Sequence, residues 1–211
     1  IEHAVAREAL RLAFDHHKKL ARGLIGVQPQ RSVGDIFAQG GGGETLVKMM
    51  ALDMIIGSGG VLSHAPKRAQ SALMMMDAYQ PEGITMLTVD SIFMMPHLGV
   101  LSEHCYDAAR EVFERDCIVK IGTCIAPIGN GKEGEPCITV KGKGLDVSVP
   151  FGEIRVIPFN VDDTTEITVL PARNFDVGAG KGKEVNVKRF DVSKGNRDQT
   201  TNLIGGQVGL I

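Results

Sequence analysis

The stretch Asp53-Met54-Ile55-Ile56-Gly57-Ser58-Gly59-Gly60-Val61-Leu62-Ser63-His64-Ala65-Pro66 constrains the fold more than any other part of the chain. Met54, Ile55 and Ile56 form a short, apolar, strand-like run. Gly57, Gly59 and Gly60 follow, and residues without Cβ atoms let the chain turn tightly. Ser63 is a good helix N-cap, and Pro66 falls in a first turn, where its missing N–H costs nothing. The pattern predicts a helix running to about Tyr79, with Ala65, Ala69, Leu73, Met76 and Tyr79 on one face and Met74 and Met75 widening it. Strand, glycine turn and helix together make a unit of an α/β protein. Bare backbone N–H groups at Gly57, Ser58, Gly59 and Gly60 suit the sugar or phosphate of a nucleotide. A tight turn that binds nothing would use the same residues, and Gly57-x-Gly59-Gly60 is not the G-x-G-x-x-G dinucleotide fingerprint.

The flanking segments extend the α/β layout. Residues 2–25 read as a helix, because Val5, Ala9, Leu12, Ala13, Leu20 and Leu24 recur at three- and four-residue spacing, and Gly26 and Pro29 end it. His16 lies on that stripe with His17 beside it, but no His-x-x-x-His spacing points to a metal. Four consecutive glycines, Gly40 to Gly43, make a loop. Gly41, Gly42, Gly43 and Glu44 are either a linker or a place where backbone approaches a ligand closely. Pro81 to Gly83 is a turn, and Ile84 to Asp90 is a buried strand. Ser91 to Leu101 and Tyr106 to Arg115 read as helical, with Pro96 near a helix start or kink. The apolar strands predict parallel pairing with both faces covered.

Composition divides the chain. All nine Met and all six His fall within residues 1–120, which also hold 12 of the 26 Gly. Pro127, Gly129, Asn130, Gly131 and Gly134 cluster as linker chemistry, so the expected division is an α/β domain over residues 1–124 and a β-rich domain over 125–211. Strand candidates in the second part are Cys137–Lys141, Leu145–Val149, Glu153–Pro158, Glu166–Leu170, Glu184–Arg189 and Gln207–Ile211, with Asp146 and Lys188 pointing outward. They predict a small all-β barrel or sandwich. Phe175 to Lys183 is not a P-loop, since Glu184 occupies the hydroxyl position. Asp176-Val177-Gly178 resembles the Asp-x-Gly phosphate turn of sugar kinases and actin-like ATPases, yet no Ser or Thr follows. It reads as a basic glycine hairpin loop open to a partner.

Charge narrows the function classes. A formal net charge of −2 and a pI near 6.3 give no electrostatic basis for binding nucleic acid or a membrane surface. No apolar run approaches the ~20 residues of a membrane span. Cys105, Cys117, Cys124 and Cys137 contain no C-x-x-C pair and no disulfide-framework spacing, which favours a reducing cytoplasm and no metal. His104 beside Cys105 points elsewhere on any regular element, so no cysteine nucleophile with a base emerges, and no catalytic residue is assigned. The chain starts at Ile1 inside a helical pattern and stops in the apolar run Gly205 to Ile211, which is expected of a piece of something longer.

Several stretches, taken together and in order, carry a resemblance. They are Ile55 to Pro66, Asp90 to Leu101, Val149-Pro150-Phe151-Gly152-Glu153, Pro171 to Lys183 and Gly205 to Ile211. As a set they resemble the glutamate mutase accessory family called MutL or GlmL, which is unrelated to the mismatch-repair protein of similar name. The resemblance implies half of an actin-like, ribonuclease-H-like ATPase fold. It also implies a reactivating or chaperone-like role beside an adenosylcobalamin-dependent mutase. In that fold a strand–glycine–helix turn contacts the adenosine of ATP or ADP with Mg²⁺, and Gly57, Ser58, Gly59 and Gly60 match its position. The first Asp-x-Gly phosphate turn has no counterpart here, and no Mg²⁺ carboxylate or water-positioning residue stands out. ATP hydrolysis would therefore belong to the full-length protein rather than to these residues alone.

Two readings follow. One is a nucleotide-binding accessory factor whose partners are mutase subunits or the missing N-terminal half. The other is a non-catalytic interaction module that docks on a partner without nucleotide. A stand-alone enzyme has least support.

Overall fold

The computed structural model describes residues 1–22, 45–142, 144–159, 166–187 and the backbone of 201–205. The candidate loop contacts Gly41, Gly42, Gly43 and Glu44 lie outside the described residues, as do Lys188 and residues 206–211.

Helix α1 spans Glu2–Leu20 and packs through a face the periodicity did not single out. Leu10 reaches the core, Phe14 meets Tyr79 edge-on at 5.2 Å, and Arg7 Nη1 pairs with Asp77 Oδ2 at 3.1 Å. Val5, Leu12 and Leu20 are 64%, 55% and 70% exposed, and Ala9, Ala13 and His16 are exposed beside them. The apolar stripe chosen from the sequence therefore faces outward. Helix α1 carries apolar residues on two opposed faces, and among the described residues only the one bearing the larger Leu10 and Phe14 is covered.

Strand β1 (Met54–Gly57) is followed by a four-residue helix, α2 (Gly60–Ser63), a break at His64–Lys67, and helix α3 (Arg68–Tyr79). The single helix expected from Ser63 onward is thus two. Ser63 ends α2 instead of capping a helix, and Pro66 sits in the break. Lys67 starts α3, its N–H donating to Gln70 Oε1 at 3.2 Å. The break leaves the last carbonyls of α2 without helical partners, and side chains of α3 supply them. Ser71 Oγ donates to the Leu62 carbonyl, and Arg68 Nη1 to that of Ser63, each at 2.6 Å. Met74, Met75 and Met76 are buried as expected, whereas Leu73 is exposed.

Strand β2 (Gly83–Asp90) runs parallel to β1, with Gly57 opposite Val89. Its two buried threonines are satisfied across that pair: Thr85 Oγ1 donates to Leu52 O and Thr88 Oγ1 to Ile55 O, both at 3.1 Å. Helices α4 (Met95–Ser102) and α5 (Tyr106–Val112) follow, and α5 widens into a π turn over Phe113–Cys117. Pro96 lies in the first turn of α4, as expected. Strand β3 (Ile118–Ala126) then returns antiparallel to β2, so the parallel expectation holds for β1 and β2 but not for β3. Among the described residues, both faces are not covered at the edge strand β1, where Met54 and Ile56 are exposed.

The remaining described strands are β4 (Ile128–Gly129), β5 (Pro136–Gly142), β6 (Leu145–Pro150), β7 (Arg155–Phe159), β8 (Ile167–Pro171), β9 (Phe175–Asp176), β10 (Val185–Val187) and β11 (Thr201–Gly205). They do not close into a barrel. Strands β5, β6, β8 and β10 form an open antiparallel sheet in the order β10-β8-β5-β6, while β7 and β11 join the first sheet, in the order β1-β2-β3-β11-β7. Strand β11 lies parallel to β3 and antiparallel to β7. The barrel expectation fails because β7, which covers the expected strand Glu153–Pro158, pairs with β11 in the first sheet, and β11 is a strand the sequence reading did not single out. Strand β3 runs across the composition break at residues 124–125.

Alternation along β2 and β3 places the cores. Leu87, Val89, Ile121, Cys124 and Ala126 face the methionines of α3. Ile84 and Ile125 face the other way, into a second cluster with Val140, Val149, Val169 and Phe175. The first sheet thus lies between a helical layer and the open sheet.

Candidate functional site

Strands β1 and β2 are parallel, so the turns at their carboxyl ends leave the sheet on the same edge. This is the side on which open α/β sheets bind ligands. The turn after β1 is Gly57 to Gly60. The four residues singled out there do different work.

Gly57 is a packing glycine. A Cβ on it would lie 2.8 Å from Met75 Sδ and 2.9 Å from Leu62 Cδ1, so these two buried side chains would have to shift to admit it. Gly59 is a conformational glycine, with φ at +107°, where L side chains are strained. Gly60 is neither. Beyond its own turn, a Cβ there would meet none of the described residues within 4 Å, nor would one on Gly59. Gly59 and Gly60 therefore present backbone to open space, and Ser58 is exposed beside them.

The turn after β2 is built round Asp90, which the sequence reading left as the end of a buried strand. Its side chain is fully buried. Asp90 Oδ1 accepts the N–H groups of Ile92 and Met94, each at 3.3 Å, and Oδ2 accepts that of Met95 at 3.2 Å. Met94 and Met95 open α4, so Asp90 satisfies N–H groups that the helix itself cannot, and through Ile92 it also closes the loop before the helix. Ser91 anchors the same loop to the π turn, its Oγ donating to Cys117 O at 3.1 Å. The loop holds Phe93 at φ +57°, in the left-handed region, and the residue is 57% exposed. Ile92 beside it and Val100, Leu101 and Tyr106 on α4 and α5 are exposed as well.

The two turns are joined. Ser63 Oγ, at the end of α2, donates to the Asp90 main-chain carbonyl at 2.5 Å. Ser63, Asp90, Ser91 and Arg68 are the residues that sequence reasoning missed. The available signal was a polar residue ending an apolar strand five residues before Met95-Pro96.

Residues 1–117 match the family model described as MutL protein. That is more than half of the 211 residues. The chain belongs to the MutL family. Membership ties this MutL-family chain to an accessory role in the glutamate mutase system. No curated protein and no solved structure matches it. Both turns of the MutL-family chain lie inside the matched segment.

Two other groups of candidates take their places in the structure. Asp176 Oδ1 accepts the N–H groups of Gly178 and Gly180 at 2.7 and 2.9 Å, so this carboxylate is spent in closing its own hairpin loop. Among the described residues, no three His, Cys, Asp or Glu side chains come together as a metal site. The four cysteines are unpaired, with Cys105 exposed and Cys117, Cys124 and Cys137 buried. Burial pushes the Cys124 thiol up to about 12. No helix among the described residues is long and apolar enough to cross a membrane.

Proposed function

We propose that this chain is the adenosine-side half of a cytoplasmic, nucleotide-binding accessory factor that reactivates an adenosylcobalamin-dependent mutase. The observation that carries the reading is the open backbone of Gly59 and Gly60 at the carboxyl end of β1, within the family-matched segment. In an actin-like half, this turn lies against the sugar and base of ATP or ADP. Gly59 and Gly60 offer N–H groups with no side chain in the way, and Gly57 lets β1 and α3 approach closely enough to hold the turn rigid.

The fit extends to the nucleoside and no further. The described residues gather no carboxylate set for Mg²⁺, and the buried Asp90 carboxylate is occupied by three backbone N–H groups. The phosphates and their metal would need donors from elsewhere in the full-length protein, so no hydrolytic step is assigned to these residues.

Calorimetric titration of the full-length protein with ATP and with ADP tests the reading. Binding is expected, weakened at least about tenfold by Gly60→Val, whose Cβ would meet no described atom within 4 Å beyond its own turn, with unchanged circular dichroism as the control for folding. Absence of nucleotide binding, or undiminished binding in the Gly60 variant, would overturn it.

A specific observation supports the second reading, a docking module without nucleotide. Ile92, Phe93, Val100, Leu101 and Tyr106 leave large apolar side chains exposed on the loop before α4 and on α4–α5. Capture of mutase subunits by nucleotide-free protein, lost in Phe93→Asp while ATP has no effect, would favour that module.

A further inference from the structure

The outward face of α1 is unexplained by either turn. Glu2, Val5, Ala9, Leu12, His16 and Lys19 recur at alternating spacings of three and four, the a/d pattern of a helix that pairs with another. None of the six is covered by the described residues, and Ile1, Ala13 and Leu20 widen the stripe. The helix has 19 residues and is roughly 28 Å long at 1.5 Å per residue.

The charges on this face choose its partner. The polar flank of α1 is internally paired: Arg11 bridges Glu8 at 2.6 Å and Asp15 at 3.1 Å, and Lys18 meets Asp15 at 3.0 Å. Glu2 and Lys19, at opposite ends of the exposed stripe, form no ion pair among the described residues. Lys19 acts on Asp15 only through space. A second copy of α1 laid antiparallel brings Glu2 of each copy opposite Lys19 of the other. The same register sets Leu12 against the small Ala9 at the centre, Val5 against His16, and Ile1 against Leu20. A parallel pair would instead stack Glu2 on Glu2 and Lys19 on Lys19, which is repulsive at both ends.

We infer that α1 is a self-association element, and that two copies of this chain pair through antiparallel α1 helices along the Val5–Ala9–Leu12 stripe. The inference is independent of the nucleotide reading. A single helix pair buries less than the ~1,200 Å² of a standard stable interface, so the dimer is weak and forms with rising concentration.

Sedimentation velocity over a concentration series tests it. The 211-residue chain is expected to pass from its 22.6 kDa monomer towards twice that mass. Leu12→Glu, at an exposed position, should hold it monomeric with its helical circular dichroism unchanged. Glu2→Lys and Lys19→Glu should each raise the dimer dissociation constant roughly tenfold, because each replaces two attractions by two repulsions. The double variant should recover most of that loss, although both changes oppose the helix dipole. A chain that stays monomeric throughout, which would leave the stripe to a different partner, overturns the inference. So does a Leu12→Glu chain that still dimerises. A double variant no better than the single ones overturns the antiparallel register.

Discussion

Ser63 Oγ donates a 2.5 Å hydrogen bond to the main-chain carbonyl of Asp90, tying the end of α2 to the end of β2. Both groups are buried. Through this bond the glycine turn after β1 and the Asp90 turn after β2 share one hydrogen-bonded framework, which continues into α3 through Ser71 and Arg68. The framework explains how α2, only four residues long, keeps its place.

Ser63→Ala tests that tie. It removes a buried donor and leaves the short helix held only by Ser71, Arg68 and the packing of Leu62. A loss of about 1–2 kcal/mol in unfolding free energy is expected, read from urea denaturation with an unchanged slope. The same variant should weaken nucleotide binding by the full-length protein if Gly59 and Gly60 are positioned by α2. A change below about 0.3 kcal/mol would mean the bond contributes little to holding the turn.

Asp90→Ala should cost more, about 3 kcal/mol, because three backbone N–H groups lose their acceptor together at the start of α4. Asp90→Asn keeps one acceptor oxygen, so an intermediate loss is expected. Hydrogen exchange localises the effect: the amides of Ile92, Met94 and Met95 should lose protection in Asp90→Ala well before those of β2. Uniform loss across the sheet would show a general packing defect instead.

The parts of the fold that were legible in the sequence are those fixed by local chemistry. Met54 to Ile56 before three glycines gave β1 and its turn, and Ile84 to Asp90 gave β2. Strand β3 was readable in principle, since Ile118, Val119, Ile121, Thr123 and Ile125 are β-branched, but the glycines and Pro127 that follow drew attention to a boundary there. What sequence could not give was tertiary choice. Helix α1 has two apolar stripes, and only the shape of α3 decides that Leu10 and Phe14 go inward. Likewise β7 has the alternation of a hairpin strand, yet it pairs with β11 beside β3. At the site, glycines were visible as glycines, but the difference between Gly57, which packs against Met75, and Gly60, which faces open space, exists only once α3 is in place.

The thiols make a pH prediction. Burial is the first cause of the raised values at Cys117, Cys124 and Cys137, with the nearby Asp90 and Asp116 adding to it at Cys117. In the unfolded chain these thiols titrate near the ordinary value of 9.0, while in the folded protein Cys124 holds its proton to about 12. Their contribution is therefore fully present below about pH 8 and is lost as pH rises through and beyond 9. Denaturation midpoints should stay flat between neutral pH and about pH 8 and then fall, and Cys124→Ala should lessen the slope of the fall. A thiol reagent added to native protein at neutral pH should modify Cys105 quickly and the other three only with unfolding. Rapid modification of more than one thiol would contradict the burial of β3 and β5.

Phe93 offers a test that separates stability from docking. Its φ of +57° places a bulky residue where Asn or Gly is at ease, and Asp90 holds the loop so firmly that the strain persists. Phe93 is 57% exposed and belongs to neither core cluster, so it contributes little to the core. Phe93→Asn is expected to stabilise the protein by about 0.5–1 kcal/mol, since Asn tolerates the left-handed region. Phe93→Ala should give no such gain, because the strain remains and the partial burial is lost. If the Ile92–Phe93 surface serves a partner, the more stable Asn variant will capture mutase subunits less well than the wild type. A strained aromatic that weakens the fold and strengthens an interaction is the trade expected of a functional surface. Phe93→Asn that is less stable than wild type would mean that the ring packs in a way its exposure does not reveal, and the strain argument would fall with it.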